Sequence, residues 1–383
     1  MEALITLVES SGFASLSWQN LVMFGVGGLL IYLAVTREYE PLLLIPIGFG
    51  AILANLPLSG MAASHAGHAE GLGHHLLQLV YDAGIRTEFL PPVVFLGVGA
   101  LTDFRPLLGR PITFLLGAAA QFGIFMAALG AFYLFGFNLQ EAAAIGIIGG
   151  ADGPTSIFLA SQLAPDLLGA IAVAAYSYMA LVPVIQPPIM KLLTTKHERC
   201  LPAGEVKPVS RAAVIVFPIM TATVAILAVP SCAPLLGMLM FGNLLRESGV
   251  TERLFKTAGG PLINIVTIFL GLVVGATMEG STFLLPRTLF VLVIGAVAFS
   301  FSTFGGVMFA KFLNLLLPRS RRINPCLGAA GVSAVPMAAR VVQSVVSKES
   351  KGKVNPLMEA MGPNVAGVIG SAVAAGVFLA LFG

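Results

Sequence analysis

Long apolar runs limit what this chain can fold into more than any other feature. A helix of about 20 mostly apolar residues spans the hydrocarbon core of a bilayer. Only 10% of the 383 residues are charged and the mean hydropathy is +0.93, whereas about a quarter of a soluble chain is charged. The runs that are nearly free of charge are Leu21–Val35, Ile112–Phe135, Leu168–Ile185, Ala212–Val229, Thr288–Leu317 and Val365–Leu381. The sequence therefore predicts an all-α polytopic membrane protein and excludes a soluble domain.

A second class of apolar run is short or is interrupted by Gly, Pro or polar residues. Its members are Pro41–Pro57, Pro91–Leu101, Ala143–Ala160, Pro234–Leu245, Ile263–Met278 and Asn324–Val342. Irregular backbone at membrane depth is tolerated only where it is buried in protein or lines a cavity. These segments are therefore interpreted as broken or re-entrant helices that form the functional interior.

The two classes of run recur in the same order in both halves of the chain, together with short motifs. The matched motifs are 41–50 with 234–242, 95–100 with 269–276, and 150–155 with 328–333. This predicts two inverted-type repeats, residues 1–205 and 206–383, each of about five to six membrane segments, whose broken helices meet near the midplane. The alternative is chance similarity, since small residues recur widely at membrane-helix interfaces. The basic stretch 191–211 between the repeats predicts a cytoplasmic connection.

Asp152 lies in Ile-Ile-Gly-Gly-Ala-Asp-Gly-Pro-Thr, residues 147–155, within an otherwise apolar run. An acidic side chain there costs roughly 2.5–3.5 kcal/mol on insertion scales, so it indicates a functional site by default. The glycines and Pro154 free backbone carbonyls, and these oxygens together with the carboxylate and the Thr155 hydroxyl suit a small hard cation. Na+ or H+ fits best. The alternative is a water-exposed turn in which Asp152 caps a helix.

The interrupted segment of the second half carries a further set of polar residues. Asn324 offers a carbonyl oxygen, Ser333 offers a hydroxyl, and Arg340 offers a permanent positive charge suited to a carboxylate. These groups could hold a cation and an anionic group together. The alternative for Arg340 is a snorkelling side chain at a helix end.

Tyr176 and Tyr178 are two positions apart in a small-residue span. They therefore lie on different faces of a helix, and at most one of them is expected to face the site.

Several classes of function are excluded. The net charge of +3 is small and scattered, which argues against a nucleic-acid partner. A histidine cluster is interpreted as a solvated loop, because no cysteine or carboxylate completes a metal-ligand spacing; its members are His65, His68, His74 and His75. No metal other than Na+ is predicted.

At residues 149–155 the sequence closely resembles the β subunit of the sodium-pumping, biotin-dependent decarboxylases. This family contains oxaloacetate, methylmalonyl-CoA, glutaconyl-CoA and malonate decarboxylases. The resemblance continues through 172–183, 234–249, 324–340 and 361–370, and it covers essentially the whole chain from Leu42 onward. Some members of the family carry a longer insert where this chain has the short loop 60–76.

The resemblance implies a membrane decarboxylase of carboxybiotin, coupled to proton uptake and outward Na+ transport, within an oxaloacetate decarboxylase. A separate biotin-carrying carboxyltransferase α subunit would deliver the carboxybiotin, so biotin is not attached to this chain. The resemblance further implies a small single-span γ subunit, a homo-oligomeric membrane part, and a multi-pass location in the bacterial plasma (inner) membrane.

The resemblance also carries functional residues over to this chain. It implies catalytic roles for Arg340, Tyr178, Ser333 and Asp152. The expected Na+ ligands are Asp152, Thr155, Asn324, Gly328, Ser333 and Tyr178. Arg340 is the expected partner of the carboxylate of carboxybiotin. The same broken helices would also serve a Na+- or H+-coupled secondary transporter of an organic anion, which is the alternative function.

Overall fold

The computed structural model describes residues 11–63, 76–202, 204, 206–318 and 322–383, and helices are the only regular structure within them. In chain order these helices are α1 Trp18–Arg37, α2 Pro41–Ala54, α3 Leu76–Arg86, α4 Leu90–Leu101, α5 Arg105–Gly109, α6 Ile112–Phe135, α7 Leu139–Gly150, α8 Gly153–Leu163, α9 Pro165–Leu193, α10 Lys196–Arg199, α11 Arg211–Ala228, α12 Met238–Glu247, α13 Glu252–Ala276, α14 Gly280–Phe283, α15 Pro286–Leu316, α16 Met337–Glu349 and α17 Leu357–Phe382. A 3-10 segment, Pro325–Gly331, lies between α15 and α16.

The prediction of an all-α polytopic membrane protein is confirmed. Among the described residues, 7 helices are long and apolar enough to cross a membrane, namely α1, α6, α9, α11, α13, α15 and α17. Each of the six continuous apolar runs falls on one of them. The chain is therefore a multi-pass membrane protein.

Two of the interrupted runs are broken, as predicted. The first is a hairpin of α7 and α8, joined at Ala151–Asp152, where Ala151 has a left-handed φ of 53°. The second is a hairpin of the 3-10 segment and α16, joined by residues 332–336. We call them the outer hairpin and the inner hairpin. The motif alignment pairs Gly150 with Gly328, whereas the two segments that precede the breaks end at Gly150 and Gly331.

The two hairpins enter the protein from opposite ends. Asn324 contacts the backbone of Arg199, and Glu349 forms an ion pair with Arg199, so both ends of the inner hairpin lie at the basic connection 191–211. The outer hairpin begins at the opposite end, where Glu141 pairs with Arg287 at the start of α15. Its second arm, α8, is followed directly by α9. Helix α9 begins at this same end and runs to the basic connection 191–211. Because positive charge accumulates on the cytoplasmic side, the inner hairpin is predicted to enter from the cytoplasm.

Three further runs were predicted to be broken, and for these the prediction is wrong. The runs form the unbroken helices Pro41–Ala54, Ala233–Glu247 and Glu252–Ala276, which accommodate their prolines and glycines within the helix or in short π-helical turns. The run 91–101 agrees with the prediction of a discontinuous helix, because α4 meets α3 at a bend of 66°.

The glycines of these unbroken helices serve close packing instead. Helix α2 crosses α13 at Gly50 and Gly275, and α4 crosses α12 at Gly99 and Gly242. A Cβ atom on any of the four would overlap a backbone carbonyl oxygen of the facing helix. All four lie in the motifs that recur between the halves, which supports an internal duplication; the inverted relation of the repeats stays a prediction.

The helices form two bundles, and each bundle draws on both halves of the chain. The crossing bundle contains α1, α2, α4, α11, α12 and α13. The tip bundle contains both hairpins with α6, α9, α15 and α17. The predicted repeats 1–205 and 206–383 are therefore interleaved in space.

Candidate functional site

The site forms where the tips of the two hairpins meet. The backbone N–H of Ser333 donates a hydrogen bond of 2.8 Å to the carbonyl oxygen of Gly150. Because one hairpin enters from each end, this contact joins two segments that neither cross the membrane completely nor belong to the same half of the chain.

Asp152 occupies the tip of the outer hairpin and is 6% exposed. It caps α8, since its Oδ1 accepts a hydrogen bond of 3.2 Å from the backbone N–H of Thr155. Its Oδ2 accepts a hydrogen bond of 2.7 Å from the hydroxyl of Ser371 on α17. Asp152 is therefore a helix cap, as the alternative supposed, but it is buried rather than exposed to water, and the positive end of the α8 dipole lies beside its carboxylate.

A short chain of hydroxyl groups links the two tips. Ser333 Oγ donates to Ser371 Oγ at 3.0 Å, and Ser371 Oγ donates to Asp152. This chain connects the inner hairpin to the buried carboxylate. Adjacent hydroxyls of this kind can pass a proton or turn their lone pairs toward a cation.

Four backbone carbonyls near the breaks already accept hydrogen bonds from buried side chains on neighbouring helices. The donors are Ser302 to the Gly149 carbonyl, Gln186 to Ala329, Asn364 to Val332 and Gln121 to Gly331. Several buried side-chain oxygens near the tips have no hydrogen-bond partner among the described residues. They include Thr155 Oγ1, Asn364 Oδ1 and Gln121 Oε1. These hydroxyl and amide oxygens are therefore available to a cation.

A small cavity of about 100 Å³ borders the carboxylate. Asp152 and Ser333 supply its polar lining, and Phe95, Val98 and Met179 form part of its apolar wall. A cavity of this size has room for water. It therefore suits a cation with part of its hydration shell.

Of the residues predicted from the sequence, Asp152, Thr155 and Ser333 come together at the junction of the tips. Tyr178 does not reach it, because its hydroxyl donates to the carbonyl of Leu292 on α15 and its ring packs on Gly295.

Asn324 and Gly328 also lie away from the junction. Asn324 is at the cytoplasmic end of the 3-10 segment, where its amide donates to the carbonyls of Arg199 and Leu201 at 3.0 Å each. Gly328 packs directly on Gly306 of α15, and a Cβ there would overlap the Gly306 carbonyl.

Arg340 lies in the first turn of α16 and is exposed. No hydrogen bond or ion pair links its guanidinium to another described residue. A cation at this depth is stable only in water or beside an anion. The histidine cluster at 65–75 lies outside the described residues.

Sequence reasoning missed four polar residues around the tips. Ser371 and Asn364 are seven residues apart on one face of α17, and Gln121 and Gln186 interrupt the apolar spans α6 and α9. The rule that singled out Asp152, a polar group at membrane depth, applies to them as well. The sequence does not show how each helix is rotated about its axis. This rotation decides whether such a side chain faces the tips of the two hairpins.

The family model described as Na+-transporting oxaloacetate decarboxylase beta subunit matches residues 19–382. The chain belongs to this family. It is 52% identical to the methylmalonyl-CoA decarboxylase subunit beta of Propionigenium modestum, with 100% of both chains covered. It is 52% identical to the glutaconyl-CoA decarboxylase subunit beta of Acidaminococcus fermentans, over 100% of this chain and 98% of that one.

The oxaloacetate decarboxylase beta chain of Klebsiella pneumoniae is 49% identical over 430 aligned residues, covering 99% of each chain. Because that alignment is longer than the 383 residues of this chain, the Klebsiella chain carries inserted segments. The resemblance recognised in the motifs around residues 149–155 is confirmed.

Proposed function

We propose that this chain performs the membrane step of a Na+-transporting, biotin-dependent decarboxylase, within an oxaloacetate decarboxylase complex. It removes CO2 from carboxybiotin, takes up a proton and moves Na+ outward. The observation that carries the proposal is the buried carboxylate of Asp152 at the meeting point of two hairpins that enter from opposite faces. A site so placed can be opened to either side by a modest movement.

The proposed Na+ ligands are Asp152, Thr155, Ser333 and Ser371. The first three follow from the sequence, and Ser371 is added because it already contacts the carboxylate. Carboxylate and hydroxyl oxygens are the donors that hard cations prefer. The cavity beside Asp152 provides the space for the ion.

The proton is proposed to reach Asp152 through the hydroxyls of Ser333 and Ser371. A protonated Asp152 no longer attracts Na+, so proton arrival favours release of the ion. The same proton would then pass to the ureido nitrogen of biotin, which needs one when CO2 leaves, so that Asp152 is ionised again for the next Na+. This exchange would couple proton uptake to Na+ export.

Arg340 is the proposed anchor for the carboxylate of carboxybiotin. Its guanidinium is exposed and lies on the cytoplasmic hairpin, and its planar fork matches a carboxylate. When bound, carboxybiotin supplies an N-carboxylate that loses CO2 readily once it is desolvated. Because Arg340 does not line the cavity at Asp152, it would hold that carboxylate at the entrance.

Tyr178, Asn324 and Gly328 are proposed to act by positioning. Tyr178 fixes α9 against α15, Asn324 ties the inner hairpin to the basic connection, and Gly328 lets that hairpin approach α15 closely. Each would therefore hold a helix or a hairpin in place without binding Na+ itself.

Pumping requires that decarboxylation changes the side to which Asp152 is open. Each Na+ moved outward costs about 2.3 kcal/mol per 100 mV. We propose that the tip bundle moves against the crossing bundle, because the glycine crossings hold the latter together. The proposed partners are a biotin-carrying carboxyltransferase α subunit, a single-span γ subunit and further copies of this chain.

The test is reconstitution of the complete complex in vesicles, with ²²Na+ uptake and CO2 release followed together on oxaloacetate, methylmalonyl-CoA and glutaconyl-CoA. Asp152→Asn is expected to abolish coupled transport, and Asp166→Asn, which changes an exposed carboxylate, is the matched control. Unchanged activity of Asp152→Asn would refute the site. Na+ movement without biotin-dependent CO2 release would favour the secondary transporter.

A further inference from the structure

The hydroxyl of Tyr176 is buried without a hydrogen-bond partner. The residue is 0% exposed, and its hydroxyl has no partner among the described residues. Buried polar groups almost always have a partner, so each exception calls for a specific explanation, such as an ion or a water molecule. The hydroxyl of Tyr176 therefore indicates a ligand that binds beside it.

The ring of Tyr176 lies directly against the tip of the outer hairpin. A Cβ atom on Gly153 would stand 2.6 Å from the Tyr176 hydroxyl and would overlap the ring. Gly153 follows Asp152 and opens α8, so the absence of a side chain at this position is what admits the tyrosine. The hydroxyl thereby lies against Gly153, the residue that directly follows Asp152 in the chain.

Tyr176 is placed on the outward side of the carboxylate. Met179, which lines the cavity at Asp152, lies one helical turn after Tyr176 on α9. Helix α9 runs from the outer end of the protein to the cytoplasmic connection, so Tyr176 is one turn nearer the outside than the cavity wall. Two residues three apart share a helix face. An ion that leaves the cavity outward along this face would therefore meet the hydroxyl of Tyr176.

Tyr178 provides the contrast within the same helix. Its hydroxyl already donates to the Leu292 carbonyl, and its ring packs on Gly295. The spacing of two residues turns it to another face of α9. Of the two tyrosines, Tyr176 is therefore the one whose hydroxyl is available at the outer hairpin.

We propose that the hydroxyl oxygen of Tyr176 is a ligand of the transported Na+ on the outward side of Asp152. A neutral hydroxyl can bind the ion without adding a charge that would hold it permanently. The ion would pass from the carboxylate to a shell that includes Tyr176 as it leaves. The inference rests on the proposed Na+ site and adds its outward ligand.

The test compares Tyr176→Phe with Tyr178→Phe in the reconstituted complex, with Tyr133→Phe as a control that removes an exposed hydroxyl. The measured quantities are the Na+ concentration for half-maximal decarboxylation and the maximal rate. Tyr176→Phe is expected to raise that concentration about tenfold, the order for losing one polar contact to a charge. Tyr178→Phe is expected to leave it within about twofold, whatever it does to the maximal rate.

A second measurement does not depend on turnover. A carbodiimide modifies buried carboxyl groups, and bound Na+ should protect Asp152 from the reagent. Tyr176→Phe is expected to need about tenfold more Na+ for half-protection, measured on the fraction of complex that stays assembled.

The outcomes separate this inference from the proposed function. If Asp152→Asn abolishes transport while Tyr176→Phe keeps the wild-type Na+ requirement in both measurements, the role of Tyr176 is overturned and the site at Asp152 stands. If Asp152→Asn is silent, the proposed function fails first. A tenfold shift in Tyr178→Phe alone would also overturn the inference.

Discussion

Replacing Ser371 with alanine tests the site at the residue that sequence reasoning missed. The Ser371 hydroxyl donates to Asp152 Oδ2 at 2.7 Å and accepts from Ser333 at 3.0 Å. Ser371→Ala removes both hydrogen bonds, and it leaves the Ser333 hydroxyl without this acceptor. The volume change is one oxygen atom, so the packing of α17 should be kept.

The magnitude follows from the charge of the acceptor. A hydrogen bond to an ionised group is worth about 1.5–3 kcal/mol, which corresponds to about 10- to 150-fold in an equilibrium constant. Because Na+ binds the ionised carboxylate, the Na+ concentration for half-maximal decarboxylation should rise by this factor. The maximal rate should fall less, since Arg340 and the carboxybiotin entrance are untouched.

The assay is CO2 release by the reconstituted complex as a function of Na+ concentration. The matched control is Ser302→Ala, another fully buried serine, whose hydroxyl donates to the Gly149 carbonyl at 2.7 Å. That change should lower thermal stability by about 0.5–1.5 kcal/mol, the worth of a neutral hydrogen bond. The Na+ requirement should stay within about threefold, because the Ser302 hydroxyl does not contact the carboxylate. A Na+ requirement for Ser371→Ala within twofold of wild type would refute the reasoning.

Three further predictions concern packing, acid stability and the entrance. Gly328→Ala should destabilise the protein by about 1–3 kcal/mol or more, because the new Cβ overlaps the Gly306 carbonyl; thermal unfolding in detergent measures it, with Gly130→Ala, which meets no neighbouring atom, as control. Burial acts to raise the pKa of Glu198, but hydrogen bonds from a threonine and a nearby lysine outweigh it, so the pKa lies below its usual 4.5. Its stabilising effect is therefore present above that pH and is lost below it, and Glu198→Gln should flatten the fall of the thermal midpoint in this acid range. Arg340→Gln should abolish carboxybiotin-dependent CO2 release yet leave Na+ protection of Asp152 intact; loss of that protection would contradict a separate entrance.

The membrane-spanning architecture was predictable because hydropathy is a local property. The six continuous runs correspond to spans, since a run of apolar residues at membrane depth has few options other than a helix. The cytoplasmic side of the basic connection 191–211 stays a prediction from the distribution of charge along the chain. Neither conclusion needs knowledge of which residues lie next to one another in space.

The glycine-rich segments show what the local sequence cannot predict, namely whether a helix is broken or continuous. A glycine can break a helix or let another helix approach, and both uses leave the same pattern of small residues. Gly150 lies at a break, whereas Gly50 and Gly99 lie within unbroken helices at crossings. Only the facing helix distinguishes the two cases, and the sequence does not name it.

The candidate site was predictable where chemistry alone identifies a residue. Asp152 is costly at membrane depth under any packing, so it could be singled out. Tyr176 and Tyr178 differ only in direction, and which of them faces the tips depends on the rotation of α9. Asn324 and Gly328 belong to the same interrupted run as Ser333. They lie farther from the carboxylate, because the 3-10 segment extends from the tip toward the basic connection.

The two glycine crossings also bear on how the chain is made. Helices α2 and α4 emerge early in synthesis, but the surfaces that receive Gly50 and Gly99 belong to α13 and α12, which follow more than a hundred residues later. Until residues 238–276 enter the bilayer, the first half exposes backbone where its partners will lie. The newborn amino-terminal half must therefore persist as an unfinished intermediate in the membrane, a stage at which insertion factors or quality-control proteases could recognise it.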